Sequence, residues 1–299
     1  MILSISRRTD IPAYYSPWIL SRLEAGEVWI RNPRSPRQVS RVLFSPETVD
    51  CLVFWSKNPG PMLPYLSRLS SLGYPFYFQH TLTPYGKDIE PGLPPKRQIL
   101  SFIQAFGKQL GPQRTVWRYD PVLLNQTWTI ERHIQAFSQL CRALEGCVCQ
   151  CVFSFLDPYP FLSKRIGGLL RPTPEQQQKI VQAFARSAAA HGIGLTACAE
   201  EGDFSSYGVE PSACIDPKRI ECLTGRPFHA LKDKNQRPLC GCVSSIDLGA
   251  YDCCAHGCLY CYATHRQGQA ERNRLLHDPS SPLLLGWPQP EDRITLRKA

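Results

Sequence analysis

Short apolar segments alternate along the chain with segments of helical periodicity. The apolar segments are rich in Val, Ile, Phe, Tyr and Trp, and some contain no polar residue, which is typical of parallel strands buried on both faces. The predicted strands are Ile2–Ser6, Val28–Arg31, Cys51–Trp55, Pro75–Gln79, Thr115–Tyr119, Gln150–Phe155, Gly194–Ala197 and Val243–Leu248. Strands that alternate with helices predict an α/β architecture.

The helices between these strands are indicated by their apolar faces and by the residues at their ends. Residues 94–110 and 129–145 each place apolar side chains on one face, and a glycine follows both segments. Thr173-Pro174 and Gln176 match a capping box at the start of a helix that ends near Gly192. Further helices are predicted over residues 16–26, 61–72, 217–223 and 265–276.

This succession of elements indicates a TIM-barrel-like (β/α) barrel, complete or partial. A doubly wound open sheet is the alternative. We expect residues 1–201 to form the main part of the barrel. Residues 202–277 form a cysteine-rich region, and the last strand, the cysteine loop and the helix of this region close the barrel. Residues 278–299 form an extended C-terminal tail over the surface.

Composition adds one unusual feature, the cysteines. The 299 residues are 43% hydrophobic and 20% charged, as in globular chains, but they include 14 cysteines, most of them after residue 197. The N-terminal apolar stretch is too short for a signal peptide, and no apolar run is long enough to span a bilayer. We therefore expect a cytoplasmic protein with no membrane partner, whose cysteines serve metal binding or catalysis and not disulfides.

The formal net charge of +9 favours anionic partners such as nucleotides, phosphates or nucleic acid. The densest basic patch comprises Arg31, Arg34, Arg37 and Arg41, with no acidic residue between them. Aromatic residues do not interleave with the basic residues in one patch, and no known nucleic-acid-binding motif is present. We interpret the patch as a solvated basic loop.

Residues 253–262 carry the most specific signal in the chain. They contain the spacing Cys254-x-x-x-Cys258-x-x-Cys261, with Tyr260 immediately before the last cysteine. Three thiolates on one tight loop can hold three irons of a [4Fe–4S] cluster and leave the fourth iron open. Gly257 suits a loop that wraps closely around such a core. The alternatives are a zinc site that joins Cys258 and Cys261 to another cysteine pair, or structural thiols.

This spacing resembles the radical S-adenosylmethionine superfamily, and His256-Gly-Cys-Leu-Tyr-Cys-Tyr-Ala263 is similar to the subset whose loop ends Tyr-Cys-Tyr-Ala. The resemblance implies two cofactors, a [4Fe–4S] cluster and S-adenosylmethionine, which one electron cleaves to a 5′-deoxyadenosyl radical. It also implies an electron donor such as flavodoxin or ferredoxin. The implied cofactor-binding residues are Cys254, Cys258, Tyr260 and Cys261, of which the three cysteines bind the metal.

Three further segments extend the resemblance to nearly the whole chain. Together with the cysteine loop, the runs Ile5–Pro12, Val53–Pro59 and Trp117–Pro121 are similar to the family called domain of unknown function 1848. That family implies an iron–sulfur protein of the radical type and little about its substrate. In the superfamily the cluster loop usually follows the first strand, whereas here it lies near residue 260. We therefore predict a permuted barrel in which the late strand 243–248 pairs with Ile2–Ser6.

A second metal site is predicted from Cys198, Cys214, Cys240 and Cys242, which lie in or beside loops and could bind another [4Fe–4S] cluster or zinc. Cys222 falls beside Ile220 on a short helix and is interpreted as a core residue. Cys253 is interpreted as a free neighbour of the cluster loop. The alternating cysteines at 147, 149 and 151 are expected to pack on one face of a strand.

Polar and charged side chains follow the predicted strands, as at the mouth of a barrel. The candidates for contact with the substrate or with the carboxylate of S-adenosylmethionine are Arg7, Arg8, Asp10, Lys57, Arg118 and Asp120. We therefore expect a radical enzyme that acts on an unknown substrate, either an anionic molecule, a nucleic acid or a peptide. The alternative is a non-radical iron–sulfur or zinc protein that binds nucleic acid.

Overall fold

The computed structural model describes residues 1–157 and 159–297. Eleven strands are assigned in them: β1 (Ile2–Ile5), β2 (Glu27–Arg31), β3 (Gln38–Leu43), β4 (Cys51–Ser56), β5 (Phe76–Thr81), β6 (Thr115–Val122), β7 (Gln150–Phe155), β8 (Gly194–Cys198), β9 (Glu210–Ser212), β10 (Ile246–Asp247) and β11 (Arg293–Arg297). Eight of them form one sheet in the order β10-β1-β4-β5-β6-β7-β8-β9, and every pair in it is parallel. The predicted α/β architecture is confirmed.

The sheet is not closed into a barrel by strand pairing. Within the described residues, β9 and β10 are its two edges, and no ladder joins them. The two edges nevertheless approach each other through loops, because Val243 N donates to the carbonyl oxygen of Ile215 at 3.3 Å. The structure therefore shows an eight-stranded parallel sheet whose edges are connected outside the strands.

Both faces of the sheet are apolar because both are covered. One face packs against the helices through large side chains such as Phe54, Phe78, Trp117 and Phe153, all fully buried. The other face carries smaller side chains, Val53, Val116 and Val152 among them, which pack against residues 213–243. The cysteine-rich region thus covers the face of the sheet that the helices leave free.

The α-helices are α1 (Ile11–Tyr14), α2 (Ser16–Ala25), α3 (Leu66–Ser71), α4 (Lys96–Leu110), α5 (Ile130–Leu144), α6 (Leu162–Arg165), α7 (Pro174–Ala190), α8 (Pro217–Thr224) and α9 (Gln267–Leu275). The capping box of α7 is present, with Thr173 and Gln176 each accepting from the other's backbone. The helix predicted over 61–72 is divided into a 3₁₀ turn and α3. Pro64 lies inside that turn, where it has no N–H for an α-helical hydrogen bond.

A second, smaller sheet contains the predicted strand near residue 28. β2 and β3 form an antiparallel hairpin, and β11 from the C-terminal segment adds to β3 in parallel. Val28 is the one buried residue of β2 and its other residues are partly exposed, unlike the strands of the central sheet, which this segment does not enter. Leu283 and Leu284, upstream of β11, are buried against the body of the protein.

The late strand β10 pairs with β1, as the permuted arrangement predicts. Leu3 lies opposite Ile246 and Ser4 opposite Asp247. The strand is shorter than the predicted 243–248 and ends at Asp247, whose carboxylate accepts hydrogen bonds from the hydroxyls of Ser4 and Ser6 and from the backbone N–H of Arg7. The cysteine loop therefore begins beside the carboxyl end of β1, at the edge of the central sheet.

Two interpretations of single cysteines need correction. Cys222 is exposed, because α8 turns Ile220 and not Cys222 toward the core. Only Cys151 of the alternating trio is buried in β7, while Cys147 and Cys149 precede the strand and are partly exposed. No described helix is both long and apolar enough to cross a membrane.

Candidate functional site

The cysteine loop, residues 252–265, is held together at its base. Asp252 N donates to the carbonyl oxygen of Ala263 at 2.9 Å, and the Asp252 carboxylate accepts from His265 N at 2.6 Å. Asn273 on α9 donates to the carbonyl oxygen of Asp252 at 2.9 Å. Asp252 adopts a φ of 54°, a conformation that Asp tolerates better than most residues. The two ends of the loop are thus joined to each other and to the helix that follows.

The tip of the loop docks on the segment that connects β5 to α4. Leu259 N donates to Ile89 O at 3.0 Å, and Gly92 N donates to His256 O at 2.8 Å. A Cβ atom at Gly92 would lie 2.5 Å from the carbonyl oxygen of His256. The backbones approach so closely that only glycine fits at this position.

Glu90 is the centre of a buried charged group beneath the loop. Its side chain is fully buried and accepts hydrogen bonds from the Tyr260 hydroxyl, from Thr83 Oγ1 at 3.0 Å, and from the ammonium groups of Lys57 and Lys96. Burial acts to raise the pKa of Glu90, but the two lysines outweigh it and hold the pKa at about 2. An ionised carboxylate therefore anchors the aromatic residue of the cysteine motif.

A second buried anchor lies on the other side of the loop. His256 Nε2 is 2.8 Å from Asp10 Oδ2, and His256 Nδ1 is 2.8 Å from the Tyr14 hydroxyl. A carboxylate can only accept, so the network places the ring proton on Nε2 and makes Nδ1 the acceptor from Tyr14. The same Asp10 carboxylate caps α1 through Ala13 N and accepts from Lys57 N. Asp10 is thus committed to orienting the loop.

The three thiols of the motif lie close enough for their charges to interact. Cys258 is buried, while Cys254 and Cys261 are partly exposed. Burial raises the pKa of Cys254 to about 12, and the neighbouring thiol of Cys261 also raises it. Cys253 Sγ donates to Tyr251 O at 3.1 Å and lies in the helix-side core. The loop therefore presents three thiols to one region and turns the fourth away.

This donor set fits a cluster better than a single ion. No three His, Cys, Asp or Glu side chains in residues 1–157 and 159–297 are arranged to hold a metal ion directly. In an iron–sulfur cubane each thiolate binds a different iron, so the sulfurs need not converge on one point. Three soft thiols on one loop, with Gly257 at a φ of 66°, are consistent with such a cluster.

Arg118 and Asp120 face the covered side of the sheet, near the second set of cysteines. Arg118 is 5% exposed and donates to Gln79 Oε1 at 3.1 Å, to Cys214 Sγ at 2.9 Å and to Asp120 Oδ2 at 2.5 Å. Burial acts to raise the pKa of Asp120, but Arg118 outweighs it and the pKa is lowered. The burial of Arg118 is thus compensated by three partners.

The other predicted contact residues lie nearer the cysteine loop. The Arg7 guanidinium donates to Ser245 Oγ at 3.2 Å and lies 3.9 Å from Asp247. The Arg8 guanidinium lies 5.0 Å from the ring centre of Tyr251. Lys57, besides its contact with Glu90, lies 5.1 Å from the Tyr260 ring. Arg8 and Lys57 thus lie beside the cysteine loop, whereas the Arg7 guanidinium also lies near Cys214 and Cys242.

Two residues of this site had no specific sequence signal. Glu90 lies in a connection without periodicity, and its partners are distant in the chain. Glu200 follows β8 without any motif around it, yet its pKa is raised to about 7 by burial and by the charges of Asp157 and Asp120. It follows Ala199, whose φ of 56° is rare outside glycine, and accepts from Phe155 N at 2.8 Å.

The four cysteines predicted to form a second site are brought together by the structure. Cys198 ends β8, Cys214 follows β9, and Cys240 and Cys242 precede β10. An open cavity of about 460 Å³ lies elsewhere, at the opposite ends of the strands, around Tyr74, Arg114 and Phe228. None of the predicted site residues lines it.

The comparisons with known proteins give one match. A family model described as Domain of unknown function (DUF1848) matches residues 2–263, which include every predicted site residue. No curated protein and no solved structure matches the chain.

Proposed function

Because this chain belongs to the family described as Domain of unknown function (DUF1848), and that description assigns no activity, we propose a function from the site itself. We infer that the protein is a radical S-adenosylmethionine enzyme. The observation that carries the proposal is the cysteine loop, which presents Cys254, Cys258 and Cys261 together and turns Cys253 into the core. Three thiolates without a fourth suit a cluster with one open iron.

Cys254, Cys258 and Cys261 would hold the [4Fe–4S] cluster. When bound, such a cluster supplies the electron that cleaves S-adenosylmethionine to methionine and a 5′-deoxyadenosyl radical. The protein supplies a low-dielectric setting and a neighbouring cation, since Lys57 lowers the pKa of the buried Cys258 thiol against the larger effect of burial. Binding of iron by these three thiols releases their protons.

The loop is oriented by two buried contacts on opposite sides, Tyr260 with Glu90 and His256 with Asp10. Neither anchor uses the thiols, so the sulfurs stay available to the metal. Fixed backbone on both sides of a reactive site keeps its geometry when substrate enters. This is the contribution that the sequence of this chain makes to the chemistry.

The surrounding cations favour an anionic substrate or the carboxylate of S-adenosylmethionine. Arg8 and Lys57 border the loop, the Arg7 guanidinium lies between the loop and the second set of cysteines, and Arg118 with Asp120 lies further along the strand ends. The electron would come from a small donor such as flavodoxin or ferredoxin in the cytoplasm. A barrel-like enclosure completed by loops between β9 and β10 belongs to the same proposal.

The nucleic-acid alternative gains no support from the basic patch. Arg31 pairs with Asp292 and Arg41 with Glu27, so two of its four arginines are already neutralised at the hairpin. The remaining positive charge of the patch is therefore smaller than the sequence suggests.

The test is anaerobic reconstitution of the full chain with iron and sulfide, followed by chemical reduction in the presence of S-adenosylmethionine. We expect 5′-deoxyadenosine in the wild type and in Cys222→Ala, a matched control because Cys222 is exposed on α8. Cys258→Ala should abolish it. A wild-type loop that takes up only zinc under these conditions, with no 5′-deoxyadenosine, would contradict the proposal.

A further inference from the structure

We propose that Cys198, Cys214, Cys240 and Cys242 form a second, mononuclear metal site that takes one Zn²⁺ through four thiolates. The site is separate from the cysteine loop, and the proposal does not depend on radical chemistry. It rests on the contacts between the four sulfurs, on the positive charge around them and on their position between the two sheet edges.

The four thiols form a continuous row of contacts. Cys198 Sγ lies 3.6 Å from Cys214 Sγ. The Cys214 side chain is in turn close enough to that of Cys242 to interact with it, and Cys242 interacts with Cys240 in the same way. Segments that are distant in sequence thus deliver four sulfurs to one place.

The spacing of the first pair suits a single tetrahedral ion. With Zn–S bonds of about 2.3 Å, two thiolates of a tetrahedral site are about 3.8 Å apart. The Cys198–Cys214 distance of 3.6 Å is close to that value. As described, the sulfurs stand in a row and do not surround one point. Binding of one ion would therefore have to draw the sulfurs of Cys240 and Cys242 toward this pair.

The charge around the sulfurs favours a negatively charged metal site. Four thiolates and one Zn²⁺ carry a net charge of −2, which needs compensation when it is buried. Arg118 Nη1 lies 2.9 Å from Cys214 Sγ, and the Arg7 guanidinium interacts electrostatically with Cys214 and Cys242. Arg7 Nη1 is buried and has no hydrogen-bond acceptor among the described atoms. The N–H of Ile215 also points to Cys242 Sγ at 3.4 Å.

The position of the site assigns it a structural role. Cys198 and Cys214 belong to the β8–β9 edge, whereas Cys240 and Cys242 lead into β10 at the other edge. Between these edges the described loops provide the backbone bond from Val243 to Ile215. A closed shell of four thiolates is typical of structural zinc. An ion here would join the two edges that no strand ladder connects.

The experiment measures zinc, iron and sulfide per chain in the full-length protein, purified under reducing conditions without chelators. We expect one zinc per chain in the wild type, in Cys222→Ser and in Cys258→Ala. Cys214→Ser should lower the zinc content roughly tenfold or more. X-ray absorption at the zinc edge should show four sulfur neighbours at about 2.3 Å.

Several results would overturn the proposal. One is a wild type without zinc, and another is disulfides between these cysteines under reducing conditions. A third is about four irons with sulfide that persist when Cys254, Cys258 and Cys261 are all replaced, since that would place a cubane here. If Cys214→Ser does not fold, two other measurements test the proposal: the X-ray absorption of the wild type at the zinc edge and the zinc content of Cys214→His. The zinc test and the radical test are independent of each other. A Cys258→Ala protein that keeps its zinc but forms no 5′-deoxyadenosine would show that the two sites are separate.

Discussion

The hydroxyl of Tyr260 donates a hydrogen bond to the carboxylate of Glu90, 170 residues earlier in the chain. This contact fixes the aromatic residue of the cysteine motif to a fully buried anion that two lysines hold in place. It joins the late cysteine loop to the connection between β5 and α4.

Tyr260→Phe removes only the donor of this contact. We expect a loss of about 1–3 kcal/mol in the free energy of unfolding, because a hydrogen bond to a charged acceptor is lost while Glu90 keeps its lysines. The reconstituted loop should also lose iron faster to a chelator. Chemical denaturation and chelator-release kinetics measure both effects, with Tyr207→Phe, between β8 and β9, as the control. Equal changes in unfolding free energy and in iron release in both variants would contradict a special role of Tyr260.

Glu90→Gln should change the acid limb of the stability profile. The pKa of Glu90 is about 2 in the fold and near 4.5 in the unfolded chain, so its contribution is complete above pH 4.5. That contribution is lost as the pH falls through about 2. The variant leaves Lys57 and Lys96 without their anion, and we expect a cost of about 3–5 kcal/mol at neutral pH.

Unfolding of the wild type and of Glu90→Gln between pH 2 and pH 7 measures this effect. The difference in the free energy of unfolding between the two proteins should become smaller as the pH approaches 2. The control is Glu131→Gln, a surface carboxylate paired with Lys179, which should leave the profile close to that of the wild type. A constant difference at every pH would contradict the assignment.

Glu200→Gln should act in a different pH window and with the opposite sign. The pKa of Glu200 is about 7 in the fold, above the unfolded value of 4.5, so the wild type loses stability as the pH rises from about 4.5 to 7. The neutral amide retains an acceptor for Phe155 N and removes the buried charge. We expect the variant to be more stable than the wild type at pH 8, by about 3 kcal/mol, and equally stable at pH 4. Thermal unfolding at the two pH values checks this.

Gly92→Ala tests the close approach of backbones under the loop. Its new Cβ would meet the carbonyl oxygens of His256 and Ala255 at 2.5 and 2.7 Å, so the loop must move away. We expect a cost of about 1–3 kcal/mol and a lower iron content after reconstitution. Gly167→Ala is the matched control, because a Cβ there meets no atom within 4 Å. An unchanged iron content in Gly92→Ala would show that docking on this segment is dispensable.

The periodicity of the chain predicted the helices and most central strands because each segment is locally consistent with its final environment. Helices α5 and α7 show this well, since apolar faces and caps agree. The strand near residue 28 was wrongly expected to belong to the central sheet. Its composition is that of any strand, and only the partner β3 and the C-terminal β11 determine that it forms a separate hairpin.

The part of the candidate site whose residues are close together in the sequence was predictable. The cysteine motif occupies ten consecutive residues, so spacing alone identified it. Glu90 was not predictable, because its importance arises from Lys57, Lys96 and Tyr260, which meet it only in the folded chain. Cys222 shows the same limit at small scale. Ile220 and Cys222 are two residues apart and so lie on opposite sides of α8, and the sequence of a short helix does not specify which side faces the core.

The pairing of β1 with β10 has a consequence for the order in which the protein assembles on the ribosome. β1 is synthesised before its partner β10, which emerges more than 240 residues later, roughly 10–50 s at ordinary rates of translation. Until then the edge of β1 is open, and neither group of thiols has all of its members. The nascent chain must therefore keep the unpaired edge of β1 from aggregating during this interval, and each group of thiols can bind its metal only after its last cysteine has emerged.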